Sequence, residues 1–212
     1  MEMDDPIEYW KGEFGRAYQQ RNKVTEKELD NRWEFWKKVL NAVPTIPDSF
    51  LEIGAGNGAN IKVLDQLLLW RTTGKTSKIP LLNATEPNLD ANVKLTDLPL
   101  KYIYPDYLPY LRSIKDNQFE FVYTYGVLIH VNPRDLRDAI DEMIRVSSKY
   151  IMCAEYFAPE CEELEYRGMD NLLWRNNFGK FFLDKELSLI DYGFMWKEAT
   201  GLDNITYWVF RK

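Results

Sequence analysis

Three glycines at alternate positions, directly after an apolar run, constrain this chain more than any other feature. Residues 50–53 have the composition of a buried strand, Gly54, Gly56 and Gly58 follow, and an apolar-periodic segment comes next. This order predicts a strand, a glycine-rich turn and a helix. Because glycine has no Cβ, a ligand can approach such a turn closely, and free N–H groups at the helix start face it. Turns of this kind bind nucleotide-like ligands at the carboxyl ends of parallel strands.

Two nucleotide-type cofactors fit the turn equally well. Gly54-x-Gly56-x-x-Ala59 matches the dinucleotide fingerprint in its G-x-G-x-x-A form. Glu52-x-Gly54-x-Gly56-x-Gly58 matches the first motif of S-adenosylmethionine (SAM) methyltransferases. The position of the turn favours SAM, because nicotinamide-binding units tend to begin near the chain start and to carry a second, substrate-binding domain. Here the strand begins only at residue 50, and too few residues follow for such a domain.

Composition narrows the range of functions. The 212 residues suit one α/β domain, and the net charge of -6 gives no general attraction for nucleic acid. The only cysteines, Cys153 and Cys161, form no C-x-x-C pair, and the single histidine excludes a His-rich metal site. No apolar run approaches the roughly 18 residues of a membrane span, and the acidic N-terminus does not resemble a signal peptide. We therefore expect a cytoplasmic protein with no metal and no membrane partner.

Strand-like and helix-like segments alternate along the chain. Strands are predicted at residues 50–53, 81–85, 101–104, 119–125, 150–154, 193–196 and 205–210. Helical periodicity occurs at residues 29–43, 61–68 and 136–146, and Asn132-Pro133 is a predicted helix start. Thr72–Lys78 is a predicted polar loop, whereas residues 157–190 show no clear period. This alternation predicts a mainly parallel sheet, in which the final pair of strands, joined by a short turn, implies one antiparallel strand.

This layout resembles the class I SAM-dependent methyltransferases over residues 48–212. The resemblance implies an α/β, Rossmann-like fold with a mostly parallel seven-stranded sheet, one antiparallel strand near the C-terminus, and helices on both faces. It also implies two parts. Residues 1–47 would form an N-terminal helical cap over the cofactor site, and residues 48–212 would form the SAM-binding methyltransferase domain.

A narrower likeness covers nearly the whole chain. It is carried by five runs, which are Phe14-Gly15-x-x-Tyr18-x-x-Arg21-Asn22, Gly126-Val127-Leu128-Ile129-His130-Val131-Asn132-Pro133, Glu155-Tyr156-Phe157, Tyr166-Arg167-Gly168 and Asp191-Tyr192-Gly193-Phe194. Together they resemble the methylases associated with pseudaminic acid biosynthesis, a small group linked to bacterial surface sugars. The resemblance implies methyl transfer to N or O of a sugar or nucleotide-activated sugar. The chain departs from the pattern at the polar insert Thr72–Lys78 and at Pro87.

The resemblance places the cofactor S-adenosyl-L-methionine above the glycine turn. Gly54, Ala55 and Gly56 would pass beneath its methionine part. Glu86, at the end of the second strand, would accept hydrogen bonds from the ribose hydroxyls, because a carboxylate is purely an acceptor. Tyr125, at the end of the fourth strand, would lie near the sulfonium, since aromatic faces attract such a cation.

Two further pairs of residues would complete the cofactor site. Asp106 would accept from the adenine amino group, with Tyr107 or Leu108 against the ring, although these residues also suit an ordinary turn. Tyr18 and Arg21 belong to the segment that would close over the cofactor, with Arg21 paired to the methionine carboxylate.

The predicted acceptor site lies beyond the fourth and fifth strands. His130 would act as general base near neutral pH, or would instead be a structural ligand of the neighbouring helix start. Glu155 is an alternative base or substrate anchor. Tyr156, Tyr166 and Arg167 are predicted substrate contacts, and Arg167 suits a carboxylate or phosphate.

Three other functions remain as alternatives. Amino-methylating DNA enzymes carry an Asn/Asp-Pro-Pro-aromatic motif after the fourth strand, where this chain has Thr124-Tyr125-Gly126-Val127. A nicotinamide oxidoreductase would need hydride-transfer machinery, yet no Tyr-x-x-x-Lys pair occurs near the fourth and fifth strands. A non-catalytic protein that uses the same fold to bind SAM or a partner is left open by the sequence.

Overall fold

The structure, a computed structural model, describes residues 5–74 and 78–212. The helices are α1 Pro6–Lys11, α2 Glu13–Arg21, α3 Glu26–Ala42, α4 Ala59–Thr72, α5 Leu89–Leu95, α6 Leu136–Val146, α7 Phe178–Leu183 and α8 Lys197–Thr200, with a short 3-10 helix at Leu128–His130. The strands are β1 Ser49–Ile53, β2 Leu81–Thr85, β3 Leu100–Tyr104, β4 Phe119–Tyr125, β5 Ser147–Glu155, β6 Glu162–Tyr166, β7 Met169–Arg175, β8 Ser188–Met195 and β9 Ile205–Arg211.

The main sheet has the strand number and the mainly parallel pairing that the sequence predicts. Within the described residues it contains seven strands, in the order β3-β2-β1-β4-β5-β9-β8. β9 runs antiparallel to both neighbours, and the remaining pairs are parallel. The Rossmann-like α/β prediction is therefore confirmed. The strand order reverses between β1 and β4, which places the turn after β1 at the switch point where open α/β sheets bind ligands.

Helices cover both faces of the sheet. On one face, Phe35 and Trp36 of α3 pack with α4 and the inner side chains of β1 and β4. On the other face, Ile140 and Met143 of α6 pack with α7. Because both faces are covered, β1 and β4 are buried along most of their length rather than alternating. α3 is thus part of the domain core. No helix within residues 5–74 and 78–212 is long and apolar enough to cross a bilayer.

Two local predictions differ from the structure. Asn132 does not start a helix: its Oδ1 accepts from the Arg134 N–H at 3.1 Å in a turn, and α6 begins only at Leu136. Asn-Pro suits an Asx turn as well as a helix cap, which explains the error. In the predicted loop, Thr72 ends α4, and residues 75–77 lie outside the described residues.

Residues 157–190 contain structure that the sequence did not reveal. β6 and β7 form a separate two-stranded antiparallel sheet, and α7 follows it. Arg167 and Gly168 connect the two strands with φ values of 58° and 76°, the left-handed conformations that a tight two-residue hairpin turn requires. β6 is largely exposed on both faces, so it has no apolar alternation to detect. β8 also begins earlier than predicted, at Ser188.

Candidate functional site

A cavity of about 420 Å³ opens at the carboxyl ends of β1, β2 and β4. Its floor is the glycine turn after β1. The first two helices, the loops after β2 and β3, and the turn after β4 form its walls, together with residues of the β6–β7 hairpin. Segments from almost the whole chain therefore meet at the sheet edge that the sequence predicts.

The glycine turn is fixed against the end of β2. The N–H groups of Gly54 and Ala55 both donate to the Thr85 carbonyl oxygen at 3.0 Å. Gly54 has a φ of 71°, and a Cβ at this position would lie 2.8 Å from Val127 Cγ2. Only glycine meets both conditions without strain. The turn is a rigid cradle whose upper side is left open to a ligand.

Glu86 lies at the end of β2 and lines the cavity. Its Oε2 accepts from the Gly56 N–H at 2.8 Å, and its Oε1 accepts from the Asn88 N–H at 2.9 Å. The side chain is buried, and this burial raises the pKa of the carboxyl group above its usual value. Glu86 thus joins the glycine turn to the loop after β2 and presents its carboxylate at the cavity.

A buried polar network borders the cavity beside the turn. Arg32 of α3 donates from Nη1 to Asn60 Oδ1 at 2.8 Å and from Nε to Glu28 Oε1 at 3.1 Å. Its guanidinium carbon lies 4.4 Å from the ring centre of Tyr125. Asn60 Nδ2 donates to Glu52 Oε1 at 2.6 Å, and burial raises the pKa of Glu52 to about 7. Sequence reasoning missed Arg32, whose only signal was its i, i+4 spacing from Glu28.

The helices α1 and α2 lie across the turns after β1 and β2. Asn88 Nδ2 donates to the Trp10 carbonyl oxygen at 3.0 Å, and Asn57 Nδ2 donates to the Asn22 carbonyl oxygen. Gly15 permits this close packing, since a Cβ there would lie 1.9 Å from the Trp10 carbonyl oxygen. α2 is thereby tied to the sheet edge at both of its ends.

Tyr18 and Tyr107 line the cavity from opposite sides of the fold. Tyr18 comes from α2, and its burial raises the pKa of the hydroxyl to about 12. Tyr107 comes from the loop after β3, and Lys11 Nζ lies 4.2 Å from its ring centre. Burial also raises the pKa of Tyr125 to about 12. Tyr18, Tyr107 and Tyr125, the three tyrosines predicted on the cofactor side, therefore all line the cavity.

His130 is held by the hairpin on the other side of the cavity. Its Nδ1 lies 2.6 Å from the Leu172 carbonyl oxygen, and because a carbonyl only accepts, Nδ1 carries the hydrogen. The imidazole centre lies 4.6 Å from the ring centre of Trp10 and 5.3 Å from that of Tyr166. Burial lowers the pKa of His130 to about 4. The neutral ring therefore has a lone pair on Nε2.

The remaining predicted substrate contacts also line the cavity. Tyr156 Oη donates to Asp203 Oδ2 at 3.5 Å, and burial raises the pKa of Tyr156. Arg167 is exposed at the hairpin tip, with its guanidinium carbon 5.6 Å from the ring centre of Tyr166. No cluster of three or more metal-ligating side chains occurs within the described residues.

Two predicted cofactor residues lie away from the cavity. Arg21 is exposed near the end of α2, with its guanidinium carbon 6.0 Å from the ring centre of Phe14. Asp106 accepts from the Ser113 N–H at 2.9 Å and from the Ser113 hydroxyl at 3.2 Å. Its carboxylate therefore closes a loop, which is the turn chemistry that its sequence context also suits. The arginine that borders the cavity is Arg32.

Glu155 does not reach the cavity either. The residue is 0% exposed at the end of β5, and its carboxylate oxygens accept from the N–H groups of Val127 and Ile129, both at 3.3 Å. Burial raises its pKa to about 7. This placement makes Glu155 a support for the turn that carries His130, rather than a group that contacts a ligand.

Comparison with solved structures identifies the architecture. A 1,6-didemethyltoxoflavin-N1-methyltransferase from Burkholderia thailandensis, with 1,6-didemethyltoxoflavin and S-adenosylhomocysteine bound, matches with a TM-score of 0.71 at 13% identity over 100% of this chain and 92% of that chain. The chain has the class I SAM-dependent methyltransferase fold. A magnesium protoporphyrin IX methyltransferase from Synechocystis PCC 6803, with bound SAM, matches with a TM-score of 0.64 at 12% identity over 99% and 98% of the two chains.

The class I methyltransferase fold also hosts another reaction. The [4+2]-cyclase SpnF matches with a TM-score of 0.58 at 13% identity, over 85% of this chain and 80% of that chain. No family model and no curated protein matches this sequence. Since one fold serves several activities, the fold alone does not define the reaction.

Proposed function

We propose that this protein is a SAM-dependent methyltransferase that methylates N or O of a small molecule. The observation that carries this proposal is the convergence of the glycine turn and the buried carboxylate of Glu86 on one cavity at the switch point of the sheet. This is the place where open α/β sheets bind nucleotide-like ligands. The likeness to structures that hold SAM or S-adenosylhomocysteine supports the same cofactor.

The residues around the cavity fit this cofactor. The cradle at Gly54, Ala55 and Gly56 leaves room above its backbone, and Gln19 Oε1 is a buried acceptor without a partner in the described part of the chain. Glu86 would accept from the ribose hydroxyls. These positions offer acceptors, donors and a close backbone approach, as a ligand with a nucleoside and an amino-acid end requires.

Aromatic and cationic groups would hold the remaining parts of the cofactor. Tyr107 would face the adenine, whereas Tyr18 and Tyr125 would lie near the methionine part. Arg32 would take the carboxylate-pairing role predicted for Arg21, because Arg32 lines the cavity and Arg21 does not.

The chain contributes mainly orientation and exclusion of water. When bound, the cofactor supplies a methyl group on an already reactive sulfonium. Alignment of the acceptor and closure against water then account for most of the acceleration. We assign closure to a cap formed by α1 and α2, whereas α3 belongs to the core. His130, neutral above about pH 4, offers Nε2 to a hydroxyl or amine proton of the acceptor.

The acceptor in this proposal is a sugar or nucleotide-activated sugar. Support comes from the sequence runs that resemble the methylases associated with pseudaminic acid biosynthesis. Arg167 at the cavity mouth suits the carboxylate or phosphate of such an acceptor, and Tyr156 and Tyr166 provide polar aromatic walls. Transfer of labelled methyl from SAM to sugar nucleotides, but not to free bases or oligonucleotides, is the expected result. Transfer to oligonucleotides alone would contradict it.

Glu86 provides the test of the cofactor assignment. Glu86→Ala removes the proposed ribose acceptor and the partner of two backbone N–H groups, so we expect S-adenosylhomocysteine to bind about 10- to 100-fold more weakly. Glu160→Ala, an exposed position on the same protein, is the matched control and is expected to bind like the wild type. Unchanged calorimetric affinity in Glu86→Ala would count against the proposal.

A further inference from the structure

Gln19 has a buried amide for which the fold provides no complete set of partners. The residue is 6% exposed on α2, and its Oε1 has no hydrogen-bond partner among residues 5–74 and 78–212. Buried polar groups in native proteins are nearly always hydrogen-bonded. An unsatisfied acceptor in a cavity wall therefore points to a ligand that supplies the donor.

The amide lies directly over the glycine turn. Gln19 lines the cavity, and its Nε2 lies 3.7 Å from the position that a Cβ on Gly56 would occupy. α2 is held in this position on both sides of Gln19, by the close packing of Gly15 against Trp10 and by the hydrogen bond from Asn57 to Asn22. The helix that carries the amide is thus fixed above the turn.

With the proposed function, the strand order assigns one part of the cofactor to this position. The strands run β3-β2-β1-β4, with Tyr107 after β3, Glu86 after β2 and the glycine turn after β1. In the proposed function, Tyr107 faces the adenine and Glu86 faces the ribose. The space above the β1 turn, which Gln19 overhangs, is then left for the amino-acid end.

We infer that Gln19 binds the amino-acid end of the cofactor and determines selectivity for ligands that carry it. An amide is suited to this group because it has one acceptor and two donors. Oε1 would accept from the ammonium group, and Nε2 would donate to the carboxylate. This inference rests on the proposed function and adds to it a residue that the sequence did not single out.

Two nucleosides separate this role from a purely structural one. S-Adenosylhomocysteine carries the amino-acid end, whereas 5′-methylthioadenosine shares the nucleoside and lacks that end. We expect Gln19→Leu to weaken the binding of S-adenosylhomocysteine about 10- to 100-fold, because hydrogen bonds to charged groups are lost. Binding of 5′-methylthioadenosine is expected to stay within about twofold of the wild type. Gln20→Leu, the exposed neighbour on the same helix, is the matched control for both ligands.

The other outcomes overturn the inference. If Gln19→Leu weakens the binding of both nucleosides equally, Gln19 contacts the nucleoside or has a structural role. If the binding of both is unchanged, Gln19 does not contact the cofactor. If Gln19→Leu does not fold by thermal melting, Gln19→Met, which keeps the length and flexibility of the side chain, replaces it with the same expectation. A wild-type protein that binds neither nucleoside would instead refute the proposed function itself.

Discussion

The two halves of the cavity are built in different ways. The cofactor half comes from three consecutive strand ends, with Gly54, Glu86 and Tyr107 following β1, β2 and β3 in chain order. The acceptor half combines Trp10 of α1 and His130 after β4 with residues of the distant β6–β7 hairpin. The cofactor half therefore follows the order of the strands, whereas the acceptor half brings together segments that are far apart in the sequence.

The two halves also differ in what fixes them. Backbone N–H groups of Gly54, Ala55 and Gly56 bond to Thr85 and Glu86, so main-chain geometry sets the cofactor half. The acceptor half depends on ring contacts and on bonds made by side chains, between His130 and the Leu172 carbonyl oxygen, between Tyr156 and Asp203, and between Glu155 and the turn that carries His130. Side-chain packing of this kind changes with single substitutions.

The largest expected effect is the pH dependence of unfolding free energy that Glu155 causes. Glu155 supports the turn that carries His130 in the acceptor half. Burial raises its folded-state pKa to about 7, above an unfolded value of about 4.5. Its contribution to stability is therefore fully present below pH 4.5 and is lost as the pH rises through 7. Relative to Glu155→Gln, which does not titrate, the wild type should lose roughly 3 kcal/mol of unfolding free energy between pH 4.5 and pH 8.

Urea unfolding at several pH values measures this difference. The pKa of Glu52 is also raised, whereas that of His130 is lowered. The contribution of His130 to stability is therefore lost as the pH falls from 6.5 through 4. Both groups are present in both proteins, so the comparison isolates Glu155. Glu160→Gln is the control at an exposed position and should parallel the wild type. Parallel curves for Glu155→Gln and the wild type would show that Glu155 is not a buried titrating group.

The next largest expected effect is a loss of affinity for S-adenosylhomocysteine when Arg32, in the cofactor half, is replaced. Arg32→Met removes a guanidinium that borders the cavity, so we expect S-adenosylhomocysteine to bind about 10- to 100-fold more weakly. Arg21→Met changes the exposed arginine that the sequence suggested and should leave the affinity within about twofold. A larger loss in Arg21→Met than in Arg32→Met would reverse the assignment and return the carboxylate contact to α2.

His130 gives the smallest perturbation, because it needs no substitution. It is the single histidine in the sequence, so its imidazole signals in a nitrogen-resolved NMR spectrum are free of overlap. We expect the Nδ1-protonated neutral form with no titration between pH 5.5 and pH 8, since burial lowers its pKa to about 4. Titration near pH 6.5 would show that the ring is exposed and would contradict its burial in the acceptor half.

The sequence predicted the parts of the molecule that carry contiguous signals. The apolar run before Gly54 and the strand just before Glu86 are local patterns, and both lie where expected. Arg32 was missed because an arginine on an amphipathic helix normally points to solvent. Glu155 follows a strand, as a ligand-facing residue would, yet its burial depends on Val127 and Ile129 folding back over it. Such three-dimensional closure has no signature in the order of residues.

The β6–β7 hairpin shows the same limit. Its strands expose most side chains, so apolar alternation is absent, and its pairing depends on the turn at Arg167 and Gly168. The hairpin nonetheless places Tyr166 and the Leu172 carbonyl oxygen against His130. The sequence named His130 and Tyr166, but their contacts with each other and with Leu172 can be identified only once the chain is folded.

Calorimetric titration of the wild-type protein with S-adenosylhomocysteine and with NAD, side by side, tests the central claim most directly. The glycine turn and the acidic residue after β2 fit both cofactors, whereas the cap over the turn is assigned to SAM. Binding of S-adenosylhomocysteine at micromolar concentration, with no heat from NAD, is the predicted result. Binding of NAD alone would contradict the account and return the turn to a dinucleotide-binding role.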